Sequence, residues 1–150
     1  MRVFSYHSKW VNYMPLPKTP ALTTDCVVFD TKGRVLLIRR KNPPFEGQYA
    51  LPGGFVDVGE TVKEACRREL KEETGVGASA LTLVGVYSEP KRDPRGHTCS
   101  VAFLTRIDAV EPKAGDDAAV AEWVMDWRSI PLAFDHARIL SDAERALSQT

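Results

Sequence analysis

Glu69, Glu72 and Glu73 stand within the run Arg68-Glu69-Leu70-Lys71-Glu72-Glu73. On a helix that advances about 100° per residue they share an arc of roughly 100°. Like charges at such spacing repel unless solvent disperses them or a cation binds them. The segment in front, Leu51-Pro52-Gly53-Gly54 followed by Gly59-Glu60, favours binding over simple solvation, because bare glycine backbone lets a ligand or cation approach closely. Hard divalent cations take oxygen ligands, and Mg2+ completes its octahedron with waters and phosphate oxygens. Carboxylates beside an exposed carbonyl suit metal-assisted phosphate chemistry.

The elements that must position these acids are written nearby. Thr61 and Glu64 have the spacing of a capping box, so a helix starts near Thr61. Gly75 is its stop, since glycine adopts the left-handed conformation without a Cβ penalty. Val62, Cys66 and Leu70 form an apolar stripe beside the acidic arc, with Ala65 on the other side. Arg68 is four residues from both Glu64 and Glu72, so it can pair with either and hold an acid in one rotamer.

Gly54 is separated by five residues from Glu60, and Glu60 by seven from Arg68-Glu69-Leu70; one residue on comes Glu72-Glu73, and one further Gly75-Val76. This resembles the complete signature of the Nudix hydrolases, with every specified position matched. The resemblance implies an α/β fold, an α/β/α sandwich on a mixed β-sheet. It also implies metal-dependent hydrolysis of a nucleoside diphosphate linked to another moiety, with Mg2+ or Mn2+ as cofactor. By the same resemblance Glu69, Glu72 and Glu73 hold metal or orient the attacking water, joined by the Gly53 carbonyl, while Glu60 and Arg68 support them. Metal ions can neutralise the pyrophosphate and activate water, so no covalent nucleophile is required.

Composition agrees with a small enzyme. A chain of 150 residues reads as a single domain, with residues 1–20 as an N-terminal arm suited to a homodimer contact. Twenty basic and twenty acidic residues cancel, which argues against a large nucleic-acid or membrane surface and leaves a small-molecule partner. Cys26, Cys66 and Cys99 are odd in number and widely spaced, the pattern of reduced core thiols in a cytoplasmic protein. No segment reaches about 18 apolar residues.

Strands flank the helix. Ala21 to Phe29, the turn Asp30 to Gly33, and Arg34 to Arg40 read as a hairpin. Alternation puts Leu36, Ile38 and Arg40 on one face and Val35, Leu37 and Arg39 on the other. Arg40 resembles a phosphate-binding arginine of some relatives, with Arg39 its substitute if the register slips. Phe45 and Tyr49 are assigned to packing ahead of base stacking. Ala80 to Ser88 and Thr98 to Arg106 are further strands. The loop between them, Glu89 to His97, carries Arg92 and Arg95 as candidate anion ligands; His97 is read as structural.

Pro90, in a Pro-Lys-Arg-Asp-Pro-Arg-Gly-His run beyond the motif, resembles the marker of the ADP-ribose pyrophosphatase branch. That resemblance implies conversion of ADP-ribose to AMP and ribose 5-phosphate. Related enzymes supply a further acid from a later loop, as general base or to complete a metal site, and this resemblance selects Asp117 as the catalytic candidate, followed by Asp116 and Glu122. The stretch from Asp135 to Leu147 is an amphipathic helix with Asp135 as N-cap and His136 in a packing or surface role. Trp10, Trp123 and Trp127 are assigned to core or interface. Two alternatives remain: a pool-cleaning nucleoside triphosphate pyrophosphatase, and a non-catalytic nucleotide-sensing module. The intact acids and the lack of room for a winged helix after the last helix count against the second.

Overall fold

A computed structural model describes residues 15–115 and 118–149. Its strands are β1 (Ala21–Phe29), β2 (Val35–Arg40), β3 (Tyr49–Ala50), β4 (Gly53–Phe55), β5 (Thr82–Tyr87), β6 (Thr98–Arg106) and β7 (Ala118–Val124). Two helices, α1 (Val62–Thr74) and α2 (His136–Ser148), cover the sheet. Most of the N-terminal arm, Trp10 included, lies outside the described residues; residues 15–20 are exposed and irregular.

The sheet is mixed, and its path runs β3-β2-β1-β6-β5, with β4 also on β1 and β7 on β2. β1 pairs in parallel with β6 over its whole length, from Ala21 opposite Thr98 to Phe29 opposite Arg106. β1 and β2 meet at Phe29 and Val35. Beyond that pair, β2 bonds β3 through Ile38 opposite Ala50, and β1 bonds β4 through Asp25 opposite Gly53. The segment from Tyr49 to Phe55 therefore enters the split between the two strands and carries the glycines to the mouth of that split.

Alternation along β1 feeds two cores. Cys26 and Val28 join Leu36, Cys66, Leu70 and Phe103 under α1, while Val27 and Phe29 join Leu37, Leu104, Ile139 and Leu140 under α2. A strand buried on both faces reads as a continuous apolar run, which most of β1 does. Asp25 is the charged exception.

Helix α1 begins and ends as its sequence dictates. Glu64 N–H donates to Thr61 Oγ1 at 3.1 Å, and Thr61 N–H to Glu64 Oε2 at 2.8 Å. Because both bonds are made, Thr61→Ala is expected to cost about 1 kcal/mol, measured by chemical unfolding. Gly75 has φ of 73° and donates to the Lys71 carbonyl. The loop before β7 completes this end, with Lys113 N–H on Thr74 O at 2.8 Å and Gly115 N–H on Glu73 O at 3.0 Å.

Three expectations are corrected. Cys26 and Cys66 are joined by a disulfide, not held as separate thiols, with Cα atoms 6.1 Å apart across the β1–α1 interface, inside the range a bridge can span; only Cys99 is free among the described residues. Asp135 makes no side-chain cap on α2, since its carboxylate accepts from Arg92. Glu64 is taken by its capping box, so the side chain of Arg68 turns to other acids.

Candidate active site

A cavity of about 360 Å³ opens where β1, β2 and β4 part, and Gly53, Gly54, Glu69 and Glu73 line it together with Arg40, Arg92 and Arg95. Glu69 can come close to β4 only because Gly54 lacks a side chain. A Cβ there would stand 2.6 Å from Glu69 Cδ and Oε1. A Cβ on Gly53 would stand 2.2 Å from the Thr24 carbonyl oxygen. Both glycines are requirements of packing.

Glu73 is buried beside Glu69. Burial first, and then the hydrogen bond and charge of Glu69, push its carboxyl up to about 9, against the pull of the Gly53 N–H. Glu73 Oε2 is buried without a hydrogen-bond partner. An orphaned oxygen next to a second carboxylate, at the wall of a cavity, suits a cation. Glu72 stands apart, with its side chain 60% exposed and 3.3 Å from Arg68 Nη1. No three potential metal-ligating side chains converge among the described residues. Such a site suits a cation that takes one or two carboxylates and leaves its other positions to water and phosphate.

Arg68 ties the acids to the loop. It bonds Glu60 through two nitrogens, at 3.0 and 2.6 Å, Glu69 at 2.8 Å and the Phe55 carbonyl at 3.0 Å. The Arg68 bond, more than any other effect, holds the Glu60 carboxyl down at about 2. Glu60 and Arg68 are thus bonded to each other, and Arg68 to Glu69.

The loop between β5 and β6 departs from expectation in part. Arg92 lines the cavity, yet its side chain is only 5% exposed and already engaged: Nε and Nη2 bond Asp135 at 2.9 and 2.6 Å, and Nη1 bonds Thr98 Oγ1 at 2.8 Å. It is a structural ion-pair partner, and the long-range contact with Asp135 makes it so. Pro90 is exposed and does not line the cavity. Arg95, 46% exposed and braced by buried Asp93 at 2.8 Å, does face it. Arg40 faces it too, while Arg39 packs over Tyr49 instead, so the expected register of β2 holds. Asp117 and Asp116 lie outside the described residues, and Glu122 is bonded to the Tyr49 hydroxyl, away from the cavity. Trp123 and Trp127 pack as expected.

Asp25, Phe134 and His136 also line the cavity, and sequence reasoning assigned none of them to it. Asp25 accepts from Ser100 Oγ at 2.5 Å and lies 3.2 Å from His136 Nε2. Burial alone would raise the Asp25 carboxyl, but His136, Ser100 and Arg92 outweigh it and hold it below its ordinary value. His136 Nδ1 accepts the Leu51 N–H at 3.0 Å, so the proton on Nε2 points at Asp25. This chain of bonds anchors the glycine segment to the start of α2. The signal was an aspartate inside a strand that runs on into four apolar residues, a residue type seldom buried unpaired.

The NUDIX domain model matches residues 19–143. The ADP-ribose pyrophosphatase of Methanocaldococcus jannaschii is 51% identical over 127 residues, which cover 84% of this chain and 74% of that protein. A MutT/nudix family protein from Enterococcus faecalis superimposes with a TM-score of 0.90 at 30% identity, covering 100% of this chain and 71% of that one. The NUDIX domain of Shewanella oneidensis NrtR, complexed with ADP ribose, gives a TM-score of 0.86 at 29% identity over 98% and 99% of the two chains.

Proposed function

The chain belongs to the Nudix family, and from that premise we propose that it hydrolyses ADP-ribose to AMP and ribose 5-phosphate at the cavity between β1, β2 and β4. The observation that carries this reading is the buried Glu73 carboxyl, with its orphaned oxygen, beside half-buried Glu69, in a chain 51% identical to an ADP-ribose pyrophosphatase. Turnover of ADP-ribose against an oxidised dGTP and a dinucleoside polyphosphate tests it. Preference for the oxidised triphosphate would replace it with the pool-cleaning reading, and binding without products would replace it with a sensor.

Nudix hydrolases use divalent metal ions, and the donor set here fits one. Glu69, Glu73 and the Gly53 carbonyl would hold it, with Glu72 reaching in from the solvent side. Bound there, Mg2+ or Mn2+ supplies charge neutralisation for the diphosphate and activation of water. Arg68, locked by Glu60, keeps Glu69 in its rotamer and draws Glu72 toward the same place. Arg40 and Arg95 face the cavity and offer donors to the phosphate oxygens of the bound diphosphate. Asp117 remains our choice for the proton acceptor, and loss of the low-pH arm of the rate profile in Asp117→Asn checks it.

Gly54→Ala tests the positioning of Glu69 directly. The added methyl group must displace the carboxylate, and a shift of about 1 Å is worth about 10²-fold in rate. We expect kcat to fall by about that factor while circular dichroism remains that of the parent chain. A homodimer through residues 1–20 and a cytoplasmic location belong to the same reading. The first rests on the proline-rich arm and the second on a nucleotide substrate, since the Cys26–Cys66 bond removes the argument from reduced thiols.

A further inference from the structure

Phe134 has φ of 53°, in the left-handed region that bulky residues rarely occupy. The ring so placed packs edge-on against Phe45, with centroids 4.9 Å apart, and faces the cavity. Two guanidiniums rest on it, Arg40 Cζ at 5.0 Å and Arg95 Cζ at 5.7 Å from its centroid. Arg95 also lies 5.4 Å from the Phe55 ring, so it spans from the glycine segment to Phe134. One aromatic ring thus gathers two like charges.

Both cations are braced from behind. Arg40 donates Nε to the Pro44 carbonyl at 2.6 Å, and Arg95 donates Nε and Nη2 to Asp93 at 3.1 and 2.8 Å. These bonds leave both Nη groups of Arg40 and the Nη1 of Arg95 without a hydrogen-bond acceptor among the described residues. Burial first, and the charge of Arg95 next, disfavour the Arg40 cation. An anion between the two would relieve that repulsion and accept the unused donors.

We propose that Phe134 is a positioning residue that holds Arg40 and Arg95 together as a single clamp for one phosphate group of the diphosphate. The proposal deepens the reading above, because it names what fixes the substrate in the same cavity as the acids. Cation–π attraction over a partly desolvated ring supplies the holding force. Removing the ring should separate the guanidiniums without touching Glu69 or Glu73.

Calorimetric titration with inorganic pyrophosphate reads the clamp without turnover. Phe134→Ala and Phe134→Leu are expected to weaken pyrophosphate binding about tenfold, with Phe134→Tyr close to the parent. In turnover, KM for ADP-ribose should rise in parallel while kcat stays within about threefold. Wild-type affinity in Phe134→Leu, alongside weakened binding in Arg40→Ala, would overturn the role of the ring. Unchanged affinity in both Arg40→Ala and Arg95→Ala would overturn the clamp itself. Should the Phe134 variants not fold, the Arg40→Ala, Arg95→Ala double-mutant cycle decides, since a clamp requires a non-additive result and additivity would sink it. If ADP-ribose is not hydrolysed but pyrophosphate binding still depends on Phe134, the substrate reading fails and the clamp stands.

Discussion

Glu73→Gln is expected to lower ADP-ribose hydrolysis by about 10³-fold or more, while making the metal-free protein more stable than its parent at neutral pH. Both halves follow from where the carboxyl sits. Buried against Glu69, it is raised to about 9, so at pH 7 and without metal it is largely protonated and resembles the neutral amide that replaces it. Metal binding requires the carboxylate, and the amide cannot supply that charge. The substitution therefore separates binding chemistry from folding.

The pH dependence has a definite sign. A group whose folded pKa is raised contributes stability that is fully present below its unfolded value and is lost as pH rises through the folded one. For Glu73 the window runs from the ordinary carboxylate range near 4.5 up to about 9. In metal-free buffer the parent's unfolding midpoint should decline across that window relative to Glu73→Gln. Parallel profiles for the two proteins would show that Glu73 is ionised in the apo state, and turnover at the parent's rate would remove it from the catalytic set.

What was legible in the sequence is local in origin. The capping box, the Gly75 stop and the bounds of β1 and β6 depend on residues a few positions apart, and the structure matches them. The acids and Arg68 were legible for the same reason, since one helix and its leading loop bring them together. Arg92 was misread because its partner Asp135 is 43 residues away, and nothing in a charged loop announces a buried pair at that distance. The same separation hid the capping fault at α2, for one carboxylate cannot serve both the helix and the arginine. Asp25 carried a signal as the one charge in its strand, yet only the parallel pairing of β1 with β6 sets it beside Ser100. Glu72 shares the arc of Glu69 and Glu73, but packing against β4 buries Glu73, half-buries Glu69 and leaves Glu72 exposed.

Arg92→Met should destabilise the fold by about 3–5 kcal/mol, the range for removing one partner of a buried ion pair. The guanidinium bonds both oxygens of Asp135 and lies 3.8 Å from Asp25. Its loss strips the Asp135 carboxylate of the partner of both its oxygens and Asp25 of its nearby guanidinium. Asp25 in turn supports the glycine segment through His136 and Leu51, so the damage reaches the site by way of the scaffold. A substrate ligand would behave differently, raising KM at constant unfolding midpoint. Adding Asp135→Asn to Arg92→Met should recover part of the lost stability, because it removes one of the stranded charges. Urea unfolding of the parent, the single variant and the double variant distinguishes the two roles: a parent-like midpoint for Arg92→Met with a raised KM would return this arginine to the substrate, whereas a lowered midpoint partly restored in the pair identifies it as the tie between the β5–β6 loop and α2.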